Sequence, residues 1–214
     1  MNKLRSAPQY YSGMLILILL LVTILLFLSS DLTISFAQPS ATKTLVNGSN
    51  KIVFASAQWW GHFAIYTIDV NGNNLQKLTS YNNPVPALAY HGQPIWSPDG
   101  KSIAYEADMG EQHGAIYVMD ADGKHAHALT NHTTTDMEPA WSPAGEHILF
   151  ISNRDGNWQI YVMDTDGTHQ KRISYNSYID ENPTWSPDGN YIAFDSNQNG
   201  GSGDSYSIWL MDAS

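Results

Sequence analysis

Two apolar patterns run through this chain. Short runs such as Ile148-Leu149-Phe150-Ile151, Ile160-Tyr161-Val162-Met163 and Ile192-Ala193-Phe194 are apolar at consecutive positions. Strict alternation would give strands with one wet face. Consecutive apolar residues in runs this short predict strands buried on both faces. Clusters of Pro, Gly, Asn and Asp separate the runs, which predicts many strands joined by tight turns. The second pattern is Met14–Leu28, apolar on every face and broken only by Thr23.

The short runs belong to a repeat. Pro94-Ile95-Trp96-Ser97-Pro98-Asp99-Gly100, Pro139-Ala140-Trp141-Ser142-Pro143-Ala144-Gly145 and Pro183-Thr184-Trp185-Ser186-Pro187-Asp188-Gly189 align with tryptophans 45 and 44 residues apart. Ile65-Tyr66, Ile116-Tyr117, Ile160-Tyr161 and Ile208-Trp209 recur between them, each followed by an aspartate (Asp69, Asp120, Asp164, Asp212). Three of these aspartates open a turn ending in Gly72, Gly123 or Gly167, and a short strand then ends at Thr79, Thr130 or Ser174. In Ser-Pro-Asp-Gly the proline presets φ and the glycine accepts positive φ. Each unit therefore holds four strands, expected in the third repeat at 138–142, 146–152, 158–164 and 169–174. A degenerate first unit uses Thr44-Leu45-Val46 as its innermost strand. Repeats begin near 42, 93, 138 and 182, and the last stops after three strands.

A four-stranded sheet buried on both faces, repeated at a fixed period, predicts an all-β fold: a β-propeller of about four blades, the last incomplete. The ring is either a small closed one or part of a larger one. A helical solenoid is excluded by the Pro and Gly spacing, and a β-sandwich does not call for such a repeat.

The apolar run follows Lys3 and Arg5 and precedes Ser35-Phe36-Ala37, the pattern of a secretory signal peptide with cleavage expected after Ala37. An uncleaved anchor is the alternative. Fifteen helical residues span about 22 Å against a hydrocarbon core of about 30 Å, and extension back to Tyr10 brings the helix to about 28 Å. Either outcome places residues 38–214 outside the cytoplasm, because the basic residues precede the run. Beyond Ala37 there are 8 basic and 19 acidic residues. That balance argues against nucleic acid and anionic membrane as partners and suits basic protein surfaces. The only membrane contact expected is through an uncleaved anchor. The absence of cysteine excludes disulfides, thiol nucleophiles and Cys-type zinc sites.

The signature P-x-W-S-P-D-G-x-x-I-A-F, followed by I-Y-V-M-D-x-D-G and L-T, resembles the TolB-type β-propeller repeat (PD40, WD40-like) over about residues 42–214. The resemblance implies a propeller of the bacterial envelope, or the propeller domain of a larger enzyme, and rings that usually hold six or seven blades. TolB itself carries an α/β domain ahead of its blades, which residues 38–42 leave no room for here.

No catalytic spacing is found: no G-x-S-x-G, no H-E-x-x-H, no phosphate-binding loop. The glycine-rich stretch at Ser202 reads as a strand connection. His125 and His127, two apart on an expected strand with His132 near, are zinc candidates. Asp120-x-Asp122-Gly123 and Asp164-x-Asp166-Gly167 resemble the start of a calcium loop but lack its distal ligands. Exposed strand ends and turn chemistry explain both, so neither metal nor cofactor is expected. Binding candidates precede each Pro-x-Trp: His91 and Gln93, Asp136 and Glu138, and Asp180, Glu181 and Asn182. They vary between units while the flanking motif persists, as positions free of packing demands do. Trp59 and Trp60 form a second candidate patch. The leading expectation is a non-catalytic module binding a protein or peptide. The alternative is the truncated propeller domain of a prolyl-oligopeptidase-like peptidase, or a propeller-based lyase or hydrolase.

Overall fold

The structure, a computed structural model, describes residues 50–57, 63–79, 90–108, 113–131, 133–198 and 206–213, all within a unit spanning Thr44–Ser214. The apolar leader, the innermost strand expected at 44–46, Trp59, Trp60, His132 and the stretch 200–204 lie outside the described residues. Among the described residues no helix is long and apolar enough to cross a membrane.

Four antiparallel sheets follow one another in chain order. The first holds β1 (Lys51–Ala57), β2 (Phe63–Asp69) and β3 (Gln76–Lys77). The second holds β4 (Tyr90–Trp96), β5 (Ser102–Asp108), β6 (Gly114–Asp120) and β7 (His127–Ala128). The third holds β8 (Asp136–Trp141), β9 (His147–Ser152), β10 (Gln159–Asp164) and β11 (Lys171–Arg172). The fourth holds β12 (Asp180–Trp185), β13 (Tyr191–Ser196) and β14 (Ser207–Asp212). Strands within each sheet run inner to outer in sequence order, and the inner strands β4, β8 and β12 pack side by side. This is the arrangement of a partial propeller.

The core lies between sheets, as consecutive apolar residues demand. Ile148 and Phe150 of β9 join Ala104, Ile116 and Val118 of the second sheet. Their neighbours Leu149 and Ile151 point the other way, into a cluster with Ile192 of the fourth sheet. Trp96, Trp141 and Trp185 are half-buried against these clusters, and Trp185 Nε1 donates to the Ala140 carbonyl of the preceding sheet at 3.3 Å. On β14, Ile208 and Leu210 are 82% and 64% exposed. Their counterparts Ile116 and Val118 pack against the next sheet.

The motif residues hold the turns. Ser97, Ser142 and Ser186 accept through Oγ from the backbone N–H of Ser102, His147 and Tyr191 at 2.9–3.0 Å. The hydroxyls of Thr79, Thr130 and Ser174 accept from Ile65, Ile116 and Ile160 at 2.9–3.1 Å. Junctions between sheets repeat as well. A Cβ added at Gly123 would lie 2.8 Å from the Leu78 carbonyl oxygen, and one at Gly167 would lie 2.6 Å from that of Leu129. Each turn thus overhangs the preceding sheet at a distance only glycine allows.

Two expected strands differ by more than one residue at a boundary. The outer strand of the third sheet is two residues long, not six. His169 takes a left-handed φ of 52° before it, and the N–H groups of Ile173 and Ser174 both turn onto the Ile160 carbonyl after it. The inner strand begins at Asp136 rather than Glu138, because Glu138 is a bulge inside the strand and not its start.

Candidate binding site on the inner strands

Each full inner strand carries the same irregularity. The register of β4, β8 and β12 against its neighbour slips between Gly92 and Ile95, Met137 and Ala140, and Glu181 and Thr184. The residue before proline sits at the slip with positive φ: Gln93 at 46°, Glu138 at 58° and Asn182 at 52°. Positive φ is uncommon outside glycine, and a bulge re-aims its side chain and leaves an N–H without a ladder partner. At Glu138 and Asn182 that N–H finds a carboxylate on the preceding sheet. Glu138 N donates to Glu106 Oε2 at 3.3 Å, and Asn182 N donates to Glu138 Oε2 at 2.6 Å. Asn182 Nδ2 donates onward to Asp195 Oδ2 at 3.1 Å.

The result is a line of acid across three sheets: Glu106 on β5, Glu138 on β8, Glu181 on β12 and Asp195 on β13. Burial pushes the Glu138 carboxyl above its ordinary range. The Asn182 N–H opposes this, and the charges of Glu181, Glu106 and Asp195 add to it. Burial likewise raises Glu106, opposed by the Glu138 N–H and the Tyr90 hydroxyl. Tyr90 reaches Glu106 across Gly92, where a Cβ would lie 2.1 Å from the tyrosine oxygen. Burial first, then the Glu106 charge, pushes Tyr90 up to about 12. A cavity of about 170 Å³ beside Glu106 is lined by Tyr90, Asp108, Thr135 and Met137.

The candidates read from sequence fall into two groups. Gln93 and Asn182 are exposed, and Glu138 and Glu181 are half-buried, all on this line. His91, Asp136 and Asp180 share one repeat position and are buried, the two aspartates completely. The sequence placed them among side chains free of packing. Instead Asp136 binds Arg154, whose Nη2 lies 3.1 Å from both carboxylate oxygens. Asp180 accepts from Asn176 Nδ2 at 2.7 Å. Burial and the Lys77 charge lower His91 to about 4. Glu106 and Asp195 escaped the sequence reading. Their signal was an acidic residue in an otherwise apolar second strand, where the third sheet has Ile151.

His125 and His127 do not share a strand face. His125 lies in the turn at φ 53° and its Nδ1 meets Asp120 Oδ2 at 2.6 Å. His127 Nδ1 meets the His125 carbonyl at 2.8 Å. His169 repeats the first contact with Asp164 at 2.7 Å, and Asn74 with Asp69 at 2.6 Å. These rings close turns. No group of metal-ligating side chains occurs among the described residues. Near these turns an open groove of about 770 Å³ runs between the second and third sheets, lined by Ser97, Asp99, His127, Trp141 and Asp166. Asp99 there is taken up by Ser97 and the Lys101 N–H, and Asp166 by Thr168.

The profile of the TolB beta propeller domain (PD40) matches residues 87–214. A Tol-Pal system protein TolB of Alcanivorax borkumensis is 30% identical over 88 residues, covering 41% of this chain and 19% of that protein. Among solved structures, a TolB-type protein of Agrobacterium tumefaciens superposes with a TM-score of 0.65 at 30% identity, covering 76% of this chain and 57% of that one. TolB of Acinetobacter baumannii superposes with a TM-score of 0.61 at 28% identity, covering 77% and 38%. The chain thus spans between a fifth and about half of the length of these relatives. With its repeat, its sheet order and more than half of its length matched, the chain belongs to the TolB-type β-propeller family.

Proposed function

We propose that this chain is an extracytoplasmic, non-catalytic propeller module that binds a basic protein or peptide along the acidic line formed by its inner and second strands. The observation that carries this reading is the line of Glu106, Glu138, Glu181 and Asp195 across three sheets, linked through the Glu138 and Asn182 N–H groups and the Asn182 amide, in which the charges of the other three add to the burial that raises Glu138. Like charges held together in partly buried positions relax when a cation arrives, and they steer it there. The likeness to a Tol-Pal system protein agrees with a role in protein assembly. The basic-then-apolar leader supports export, which mass spectrometry of the exported protein tests: Gln38 at the amino terminus is expected, and an intact leader in the soluble exported fraction would refute cleavage.

The binding test is the triple variant Glu138→Gln, Glu181→Gln, Asp195→Asn. Each replacement keeps an acceptor oxygen, so the Asn182 contacts persist and the fold is retained. Affinity for a basic peptide such as tetralysine is expected to fall at least tenfold in the variant. In the parent it should rise with pH as Glu106 and Glu138 ionise above the ordinary carboxylate range, and weaken with salt. Unchanged affinity in a folded variant would refute the reading.

A further inference from the structure

The third sheet contains a filled arginine socket. Asp136 opens β8, Ser152 ends β9, and Arg154 follows two residues later. The Arg154 guanidinium lies 3.1 Å from both Asp136 oxygens, its Nε donates to Ser152 Oγ at 2.8 Å, and its centre sits 4.7 Å from the Tyr161 ring and 5.4 Å from that of Phe150. The socket is an acid, a hydroxyl and two facing rings.

The fourth sheet rebuilds it without the arginine. Asp180 pairs in register with Ser196 as Asp136 does with Ser152. Phe194 pairs with Trp209 as Phe150 does with Tyr161. At the place of Arg154 stands Gln198, which is exposed. Asp180 and Ser196 are 0% exposed, yet Asp180 Oδ1 and Ser196 Oγ have no hydrogen-bond partner among the described residues. Arg172, close by through its bond to the Asn176 carbonyl, is engaged with Asp155 at 3.3 Å and Gln159 at 2.7 Å. Buried carboxylate oxygens are seldom left so. The second sheet shows the alternative: there all three positions change together, to His91, Ala107 and Met109. The fourth sheet keeps the acceptors and loses the arginine; Asn176 Nδ2 reaches Asp180 Oδ2 at 2.7 Å, which leaves Asp180 Oδ1 and Ser196 Oγ for a further donor.

We propose that the Asp180–Ser196 socket receives a guanidinium from outside the chain, the arginine side chain of a bound peptide. Arginine fits where lysine does not. A planar fork satisfies carboxylate and hydroxyl together and stacks on the rings, as Arg154 does, whereas an ammonium is a point donor. Because both acceptors are buried, entry opens the rim at this point. Glu181 and Asp195, the next residues along the same two strands, draw the positive charge in. The proposal rests on the reading that the partner is basic and adds that it presents arginine.

The test is calorimetric titration of the full chain with acetyl-Gly-Arg-Gly-amide and acetyl-Gly-Lys-Gly-amide. The arginine peptide is expected to bind at least tenfold more tightly. Asp180→Asn, which removes a buried carboxylate that has no cationic partner among the described residues and keeps an acceptor for Asn176, should melt no lower than the parent and lose the preference. Gln198→Arg, which supplies the missing side chain from within, should raise the melting temperature and also lose it. Equal affinities in the parent, or a preference that survives in either folded variant, would overturn the proposal. Should Gln198→Arg fail to fold, Asp180→Asn decides alone. The acidic line is judged separately: its triple variant should weaken both peptides alike, so a preserved arginine preference with an inert triple variant would sink the line and keep the socket.

Discussion

Arg154→Met removes the charge from the filled socket while leaving an aliphatic chain against Tyr161 and Phe150. Asp136 stays behind with 0% of its side chain exposed, and Arg154 itself is only 26% exposed, so water does little to screen the pair. Removing one partner of a buried ion pair costs about 3–5 kcal/mol, most of it the stranded charge. Part of the ring stacking is lost as well. For a domain of this size about 1 kcal/mol moves Tm by roughly 2–4 °C, so a fall of about 6–20 °C is expected by calorimetry. Asp136→Asn alone should also destabilise, because the amide turns a donor toward the guanidinium. The double variant should be no worse than the worse single one, since it leaves no stranded charge, giving a coupling of about 2 kcal/mol or more. Strict additivity, or a Tm for Arg154→Met within a degree of the parent, would show that the pair is ornamental and that the socket does not govern this rim.

His91 is held neutral, its pKa lowered from 6.5 to about 4. The unfolded chain therefore takes up a proton that the folded chain refuses as pH falls from about 6.5 to about 4, and stability falls across that window. The full shift corresponds to about 3 kcal/mol at most. His91→Gln should flatten that part of the stability-versus-pH curve, and an unchanged slope would place the titration elsewhere. Gly167→Ala should cost about 2–4 kcal/mol, because its Cβ meets the Leu129 carbonyl on top of the φ penalty. Gly72→Ala, at the same turn with φ 85° and nothing within 4 Å of the added carbon, should cost only about 1–2 kcal/mol. Equal denaturation midpoints for the two variants would refute the overhang.

The repeat and its two-faced burial were legible because both live in local patterns. Consecutive Ile148-Leu149-Phe150-Ile151 can be satisfied only by neighbours on either side, and the sheets on either side are there. The bulges were not legible. Gln93, Glu138 and Asn182 are three different residues before a proline, and nothing in that pattern announces the positive φ they share at the slip in register. The burial of Asp136 was hidden for another reason. Asp136 and Asp180 carry the same residue at the same repeat position, and what separates them is whether residue 154 or 198, eighteen positions later, is arginine or glutamine. A sequence reading confined to one motif sees the acid and not its distant counterion. Glu106 lies in a strand whose pattern reads as core, and its carboxylate is explained by the Glu138 N–H of the neighbouring sheet and the Tyr90 hydroxyl.

The overhanging glycine turns give the array a polarity. The turns of the second and third sheets reach back to the end of the outer strand of the sheet before, from Gly123 to Leu78 and from Gly167 to Leu129. A polypeptide made amino terminus first finishes an outer strand before the turn that clamps it has been synthesised, so the second and third sheets each arrive carrying the latch for their predecessor. A pull on the carboxyl end would reach the Gly167 latch before the Gly123 latch, freeing the outer strand of the second sheet while that of the first stays clasped.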